Sequence, residues 1–417
     1  MRTLSSPNTA DRGHIIRLDL TYKQTNACAR ACGVSRFTHN WGLAEWDRQY
    51  AAGGKPTANK LKKQFNAIKD DQFPWIGESP RDANSQPFAD LGRAFSNFFA
   101  SIAGTRKGRK VGRPTFRKRG INDSFYVSND KFKVRQRGKR GVIRLPVIGD
   151  VRMMEPLRWQ GKILSARVFR KADQWFIAIN VETRIAKPHV HAHAIVGVDL
   201  GLKTALVPSS HSEPIDAPKP LKKALRKLAR ANRELHRRKK GSRNRNKSRI
   251  NVAKVHQRTA NVRQDWWHKR TTDLCRENQT VVIEDLAIAF MLKNRRLSRA
   301  ASDVGLGMFR PMLLYKKAVY GNEVIVADRH YPSTQRCARC GHTKTGEEKI
   351  GLGVSEYVCA KCGYREDRDR NAALNLEQYP GLQGNWSRET RTSTDDHAST
   401  RQAKRSPSGK RNRRSGN

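Results

Sequence analysis

At 417 residues the chain is long enough for two to four domains. Its 84 lysines and arginines against 37 acidic residues leave a formal charge of +47. A compact fold relieves that self-repulsion beside a polyanion, so nucleic acid is the expected partner. No run of 18 apolar residues occurs, and no membrane span is expected. The opening MRTLSSPNTADRGH lacks an apolar signal core. The seven cysteines do not suggest a disulfide framework in so long a chain. Four fall in CxxC pairs, which suits a metal and a reducing, cytoplasmic setting.

Residues 1–13 read as a polar leader, and His14–Thr21 alternates as a strand. Residues 27–50 read as a helix carrying Cys28, Cys32, Phe37, Trp41, Leu43 and Trp46. The two cysteines lie on one face, where core thiols are the expected role. Gly53–Gly54 ends the helix. Asn59–Lys69 and Ser85–Phe99 are two further helices, the second with a core-facing stripe of Phe88, Leu91, Phe95, Phe98 and Phe99. Residues 104–120 form a basic, Gly- and Pro-broken loop. Lys110, Arg113, Arg117 and Lys118 are placed to follow phosphates there, with Phe116 available to stack. Strands follow at Phe125–Val127, Val142–Pro146, Ile163–Phe169 and Trp175–Glu182. With His14–Thr21 these are expected to close a small barrel, with the helices of 27–103 as an insertion. His189, His191 and His193 alternate in a linker, without evident partner ligands for a metal.

The apolar run Ala194–Val198 leads into Asp199. Pro220 opens a long helix, at a position where its missing N–H costs little. Leu221, Leu225, Leu228 and Leu235 are its expected apolar stripe. Gly241-Ser242 turns the chain into a second helix with Val252, Val255, Val262 and Trp266. Residues 221–270 hold 19 Lys or Arg and two acids, Glu234 and Asp265. Such a hairpin suits a duplex lying beside it, held by sequence-indifferent contacts from Arg226, Arg230, Arg237, Arg238, Lys239 and Lys240. Val281–Ile283 is a β-branched strand ending at Glu284. Residues 287–307 show no periodicity and are placed to act as a mobile lid. Phe309–Tyr320 is a helix and Glu323–Asp328 a strand, with Asp328 read as a strand-end residue.

Cys337, Cys340, Cys359 and Cys362 give C-x₂-C-x₁₈-C-x₂-C, a closed four-thiolate site for one structural Zn²⁺. DRDRNAALN follows at Asp367–Asn375, with Asp367 and Asp369 both candidates for a third acid. Three carboxylates brought together on one sheet, Asp199, Glu284 and one of this pair, would hold two Mg²⁺ ions. Such ions stabilise both the attacking and the leaving oxygen of a phosphodiester. Residues 380–417 are Ser-, Thr-, Arg- and Lys-rich and are expected to be disordered.

The segments around these acids resemble the TnpB family, insertion-sequence proteins with a split RuvC nuclease that are related to type V CRISPR effectors. The resemblance is carried by GVDLGLKT (197–204), residues 218–245, RQDWWHKRTTDL (263–274), VVIEDL (281–286), residues 293–316, YPSTQRCARCG (331–341) and CAKCGYREDRDRNAALN (359–375). Weaker matches such as SRFTHNWGLAE (35–45) extend it over roughly residues 14–379. It implies an α+β multidomain protein: a β-barrel wedge domain (1–26 and 104–188) with a helical recognition insertion (27–103), an RNase H-like RuvC domain (189–330 and 366–379) bearing the hairpin 220–278, and a zinc ribbon (331–365). The family pattern places its third acid two residues before the Asn of the NAA helix, hence at Asp369, leaving Asp367 as a helix-entry residue. It implies Mg²⁺-dependent, RNA-guided cutting of double-stranded DNA beside a short adjacent motif. The guide RNA would come from the 3′ end of the same element, and the protein would act as a monomer. By family position, Arg81 and Gln86 are where reading of that motif is expected. Three other readings share parts of this evidence: a compact type V effector, a strand-joining transposase, and a non-catalytic nucleic-acid-binding regulator.

Overall fold

The computed structural model describes residues 9–138, 140–184, 190–210, 213–351 and 353–382. Residues 1–8 of the expected polar leader, His189 and most of the expected tail lie outside them, while residues 9–13, read as the rest of that leader, belong to the first strand. The chain divides into two compact units. One takes the residues up to 186 together with Ala224–Ala260, and the other takes 187–223 and the residues from 261 onward. The basic hairpin, expected to belong wholly with segment 189–330, is thus shared between the two.

In the first unit a seven-stranded antiparallel sheet runs in the order β2-β6-β7-β1-β5-β4-β3. Its strands are β1 (Thr9–Asp19), β2 (Ser124–Ser128), β3 (Lys133–Arg137), β4 (Arg140–Leu145), β5 (Gly149–Met153), β6 (Lys162–Lys171) and β7 (Gln174–Arg184). β7 alternates as expected, burying Trp175, Ile177, Ile179 and Val181. It pairs with β1 so that Ile16 lies opposite Ile177. β2 and β3 are the outer strands, and no ladder joins them among the described residues, so the expected barrel closure does not appear in the pairing.

Three helices pack into the same core: α1 (Tyr22–Ala51), α2 (Ala58–Gln72) and α3 (Arg81–Ile102). α1 starts at a capping box, in which the Thr21 hydroxyl accepts from Gln24 N and the Gln24 side chain accepts from Thr21 N. Cys28 and Cys32 are buried core thiols, and burial pushes the Cys28 thiol up to about 12. The aromatic stripe of α3 is core at Phe88, Leu91 and Phe95, Phe88 and Phe95 being 2 % exposed and Phe95 stacking on Trp46 at 4.0 Å, whereas Phe99, expected in the same stripe, is 47 % exposed.

The second unit holds a five-stranded sheet in the order β10-β9-β8-β11-β12. Its strands are β8 (His193–Asp199), β9 (Thr204–Pro208), β10 (Ile215–Asp216), β11 (Asn278–Ile283) and β12 (Glu323–Val326). β8, β11 and β12 are mutually parallel, while β9 and β10 run antiparallel. The run Val281-Val282-Ile283 is wholly apolar because β11 is central and buried on both faces. Val281 and Ile283 join one core, and Val282 the other.

The basic hairpin is α4 (Pro220–Arg237) and α5 (Arg243–Glu277). The expected leucine stripe of α4 is not buried: Pro220 is its one buried residue, and Leu225 is 36 % exposed. The anchor is instead Trp267 on α5, fully buried, donating Nε1 to the Val304 carbonyl at 2.8 Å.

Residues 287–307, read as a connection without periodicity, are largely helical. They form α6 (Ile288–Lys293) and α7 (Ser298–Val304), with Ala301, Asp303 and Val304 buried. The Asp303 carboxylate accepts from Leu221 N at 2.7 Å and Lys222 N at 2.8 Å. It thereby satisfies two orphan amides at the start of α4 and opposes the positive end of that helix's dipole. α8 (Phe309–Tyr320) follows. The strands β13 (Glu356–Val358) and β14 (Arg365–Asp367) close the ribbon, and a helix over residues 368–382, α9, packs Leu376 and Tyr379 against Val282.

Candidate active site

Strand periodicity decides where the first two acids point. On β8, Val196 and Val198 face the core that holds Trp267 and Phe309, so Gly197 and Asp199 face the opposite side. On β11, Val282 faces α9, and Glu284, two residues on, follows that direction. The parallel register pairs Val198 with Ile283. Asp199 and Glu284 are therefore neighbours at the carboxyl ends of adjacent parallel strands, where open α/β sheets place their ligand sites.

α9 carries the third acid onto the same side. Its backbone lies so close to β8 that a Cβ on Gly197 would overlap the Ala373 carbonyl oxygen and the Glu377 amide nitrogen. Gly197 is thus required for α9 to approach, and with it Asp369. The choice between the two aspartates has a geometric counterpart. One Asp367 oxygen accepts from Asp369 N and from Arg370 N, both at 3.0 Å, the work of a helix cap. Asp369 is close enough to Asp199 and Glu284 to repel both.

The electrostatics are those of an anionic cluster short of countercharge. Asp199 is 7 % exposed. Burial first, then Glu284 and Asp369, push its carboxyl well above the ordinary range, against weaker opposition from Arg368. Burial and Asp369 also raise Glu284, while a hydrogen bond from Ser333 lowers it. Arg368 meets Asp369 through Nε at 2.9 Å and Nη2 at 2.7 Å. The three carboxylates thus repel one another on one side of the sheet, one of them nearly enclosed and only partly balanced by an arginine; they are oxygen ligands of the kind hard divalent cations take, but they do not gather within 4.8 Å as the cysteine sulfurs do. The neighbouring Asp285 differs, being held by Arg310 and Arg329 at 2.7 Å each. Asp328 is an exposed turn residue that accepts from His330 N.

The four cysteines gather as their spacing predicts. Their sulfurs all lie within 4.8 Å of one another, with Cys337 to Cys362 at 3.7 Å and Cys340 to Cys359 at 3.6 Å. Four thiolates around one ion at about 2.3 Å would stand about 3.8 Å apart, so the cradle has the size of a tetrahedral metal site. Among the described residues this is the one such group of His, Cys, Asp and Glu side chains. His193 begins β8 exposed, outside any such group.

The sequence did not reveal how the cysteine knuckle is tied to the acids. Ser333, 3 % exposed, donates its hydroxyl to Glu284 in a short hydrogen bond. Asn371 and Asn375 on α9 are fully buried. Asn371 donates to the Arg336 carbonyl at 2.7 Å and accepts from Ala338 N at 3.0 Å. Asn375 donates to the carbonyls of Ser333 and Arg336. A signal was available: Asn is disfavoured inside helices unless its amide has a partner, and two of them stand four apart in NAALN.

The expected nucleic-acid residues fall into two groups. Arg226, Arg230, Arg237, Arg238, Lys239 and Lys240 are all exposed on the hairpin, Arg238 sharing a 3.6 Å ion pair with Glu234. Lys110, Lys118 and Arg81 are exposed too, as is Phe116 at 54 %. Arg113 is paired with Asp47 at 2.6 Å. Arg117 and Gln86 are occupied internally. Arg117 exchanges backbone bonds with the Asn40 amide and faces Asp90 at 3.7 Å. Gln86 donates to the same Asp90 at 3.1 Å.

Comparison with known proteins agrees with this architecture. Residues 177–295 match the OrfB family model of IS605-type elements, described as "probable transposase", and residues 307–376 match the Cas12f1-like TNB domain. Residues 10–55 match a model described as a helix-turn-helix domain; here that segment is strand β1 and one unbroken 30-residue helix. A protein of Streptomyces pristinaespiralis named "putative RNA-guided DNA endonuclease" is 38 % identical over 361 residues, covering 85 % of this chain and 86 % of that one. Its Escherichia coli K12 counterpart InsQ, of the same description, is 31 % identical over 369 residues, covering 83 % and 87 %. The fold is shared with Cas12f1, solved as an sgRNA–target DNA complex, at a TM-score of 0.55 and 13 % identity, over 89 % of this chain and 99 % of that one. Fold and matches together define an α+β multidomain protein of the insertion-sequence OrfB class. The chain belongs to the TnpB family.

Proposed function

We propose that this protein is an RNA-guided DNA endonuclease that hydrolyses phosphodiesters at Asp199, Glu284 and Asp369. The observation that carries the proposal is the convergence of three carboxylates from distant segments on one face of the second sheet, with Asp199 buried among them. The names of the relatives support the guide and the DNA target. In this reading the first unit's sheet is the wedge domain and α1–α3 its recognition insertion. The order of the second sheet, an antiparallel meander followed by parallel strands, supports an RNase H-like RuvC domain. The four cysteines would hold one structural Zn²⁺, since four protein ligands leave no open position. The protein would work in the cytoplasm on nucleoid DNA.

Two Mg²⁺ ions held by the three acids would supply Lewis-acid stabilisation of the attacking and leaving oxygens. The chain's own groups prepare that site. The ends of β8 and β11 fix Asp199 and Glu284 side by side. Ser333 holds one Glu284 oxygen, leaving the other to bind. Asp367 caps α9 and so orients Asp369. Arg368 balances part of the charge.

Asp369→Asn is therefore expected to abolish cleavage of a guided target in Mg²⁺ while leaving target binding near the wild-type level. Asp367→Asn keeps a capping oxygen and should keep both catalysis and stability, whereas Asp367→Ala should keep catalysis and lose about 1 kcal/mol of stability, as loss of a helix cap does. Electrophoretic cleavage and binding assays on these variants check this. Cleavage retained by Asp369→Asn and lost by Asp367→Asn would reverse the assignment.

A further inference from the structure

The first unit contains a cavity of about 670 Å³ that no assigned role uses. Its walls are Lys23, Asn26, Ala29 and Arg30 from one face of α1, Arg36 nearly two turns beyond Arg30, Arg119 from the end of the basic loop, Asp123 from the turn that follows, and Arg170 from the end of β6. Five cations thus face one carboxylate, and that carboxylate is spent locally. Asp123 accepts from Gly120 N at 3.0 Å and faces Arg36 at 3.6 Å. Lys23, Arg119 and Arg170 have no carboxylate partner among the described residues. Arg30 meets Glu78 at 3.2 Å, but their side chains are 60 % and 63 % exposed, and such pairs contribute about 0–1 kcal/mol.

Small-molecule sites are mostly apolar with a few placed polar groups. Here Ala29 is the only apolar lining residue. The cations also extend along the wall. Lys23 and Arg30 are seven residues apart on α1, about 10 Å along its axis. That is the reach of about three stacked nucleotides at about 3.4 Å each. With no aromatic ring in the lining, the contacts available are to the backbone and not to bases.

We infer that this cavity seats consecutive phosphates of a nucleic-acid strand, through Lys23, Arg30, Arg119 and Arg170, with Asp123 holding Arg36 and the 120–123 turn in place. The inference rests on the proposed function, since that function supplies both possible strands, guide RNA and target DNA.

The test uses the full-length chain and a triple variant, Lys23→Ala/Arg119→Ala/Arg170→Ala. Fluorescence anisotropy follows binding of a labelled RNA of about 20 nucleotides and, separately, of a duplex DNA of the same length, across a salt series. Each phosphate contact contributes about 0.7 to the slope of log K against log salt for a single strand and about 0.9 for a duplex. The triple variant should lose about two units of slope if RNA occupies the cavity and nearly three if duplex DNA does. A loss confined to RNA assigns the cavity to the guide, and a loss confined to DNA assigns it to the target. Arg119→Lys/Arg170→Lys keeps the charges and should keep the slope. Wild-type slopes in both arms, from a triple variant that melts like the parent, would overturn the inference and leave the proposed function standing. A wild-type chain that bound neither probe would overturn both.

Discussion

Asp199→Asn is expected to abolish DNA cleavage and, in the same protein, to raise the melting temperature measured without divalent metal. The two effects share one cause. Asp199 is nearly enclosed, and burial with Glu284 and Asp369 raises its proton affinity well above that of a free aspartate, which is half-protonated near about pH 3.9. A carboxyl whose folded value is raised contributes stability below its unfolded value and loses it as pH climbs through the folded one. Above that raised value the metal-free protein carries a destabilising buried charge. The isosteric amide removes that charge and with it a ligand. Lewis-acid stabilisation is worth several kcal/mol, so cleavage should fall about a thousandfold or more. Each kcal/mol regained in the metal-free fold should add about 2–4 °C for a unit of this size. Calorimetry from pH 4 upward should show the wild-type advantage shrinking with pH and the variant flatter. A variant that melts lower than wild type at neutral pH would contradict the anionic-cluster description.

Cys359→Ser is expected to lose both the metal and the nuclease activity, although no acid is touched. A structural zinc contributes about 10–16 kcal/mol of binding free energy to its fold, so the ribbon should not persist without it. The knuckle at 333–338 holds Glu284 through Ser333 and α9 through Asn371 and Asn375. When the knuckle unfolds, Glu284 loses its hydrogen bond and α9 loses the carbonyls that anchor it, so two of the three acids lose their positions. Metal analysis should fall from one zinc per chain to none, with cleavage falling in parallel. Asn375→Leu separates the two effects. It keeps the cysteines and the zinc, leaves the Ser333 carbonyl without its donor at about 1–3 kcal/mol while Arg336 still accepts from Asn371, and should still reduce cleavage. Full cleavage by a zinc-free Cys359→Ser protein would break the proposed link.

What could be read from the sequence followed from how each signal arises. Asp199 and Glu284 follow apolar runs, and a central parallel strand buried on both faces produces such a run directly. The cysteine spacing is a local covalent pattern. The alternation of β7 and the aromatic stripe of α3 report a single buried face. The misses are where packing is not periodic. Lys133–Arg137 and Gly149–Met153 carry too much charge or glycine to announce β3 and β5. α7 is held by Ala301, Asp303 and Val304, and a buried aspartate that caps a distant helix looks like loop sequence. The leucines of α4 promised a stripe that remains half-exposed. Arg117 and Gln86 have the side chains of nucleic-acid readers, but the loop residue and the helix residue both meet Asp90 of α3, and only the three-dimensional structure shows it. Ser333 carries no local signal, because its role depends on Glu284, 49 positions earlier.

The most direct test of the account is to purify the full-length protein with the RNA it retains from cells carrying its native element, sequence that RNA, and supply plasmids with and without the matching DNA in Mg²⁺. The account predicts one discrete RNA, cutting of the matched plasmid only, and loss of cutting after ribonuclease treatment or in Asp369→Asn. Cutting that ignores the RNA sequence, or that survives ribonuclease, would contradict it.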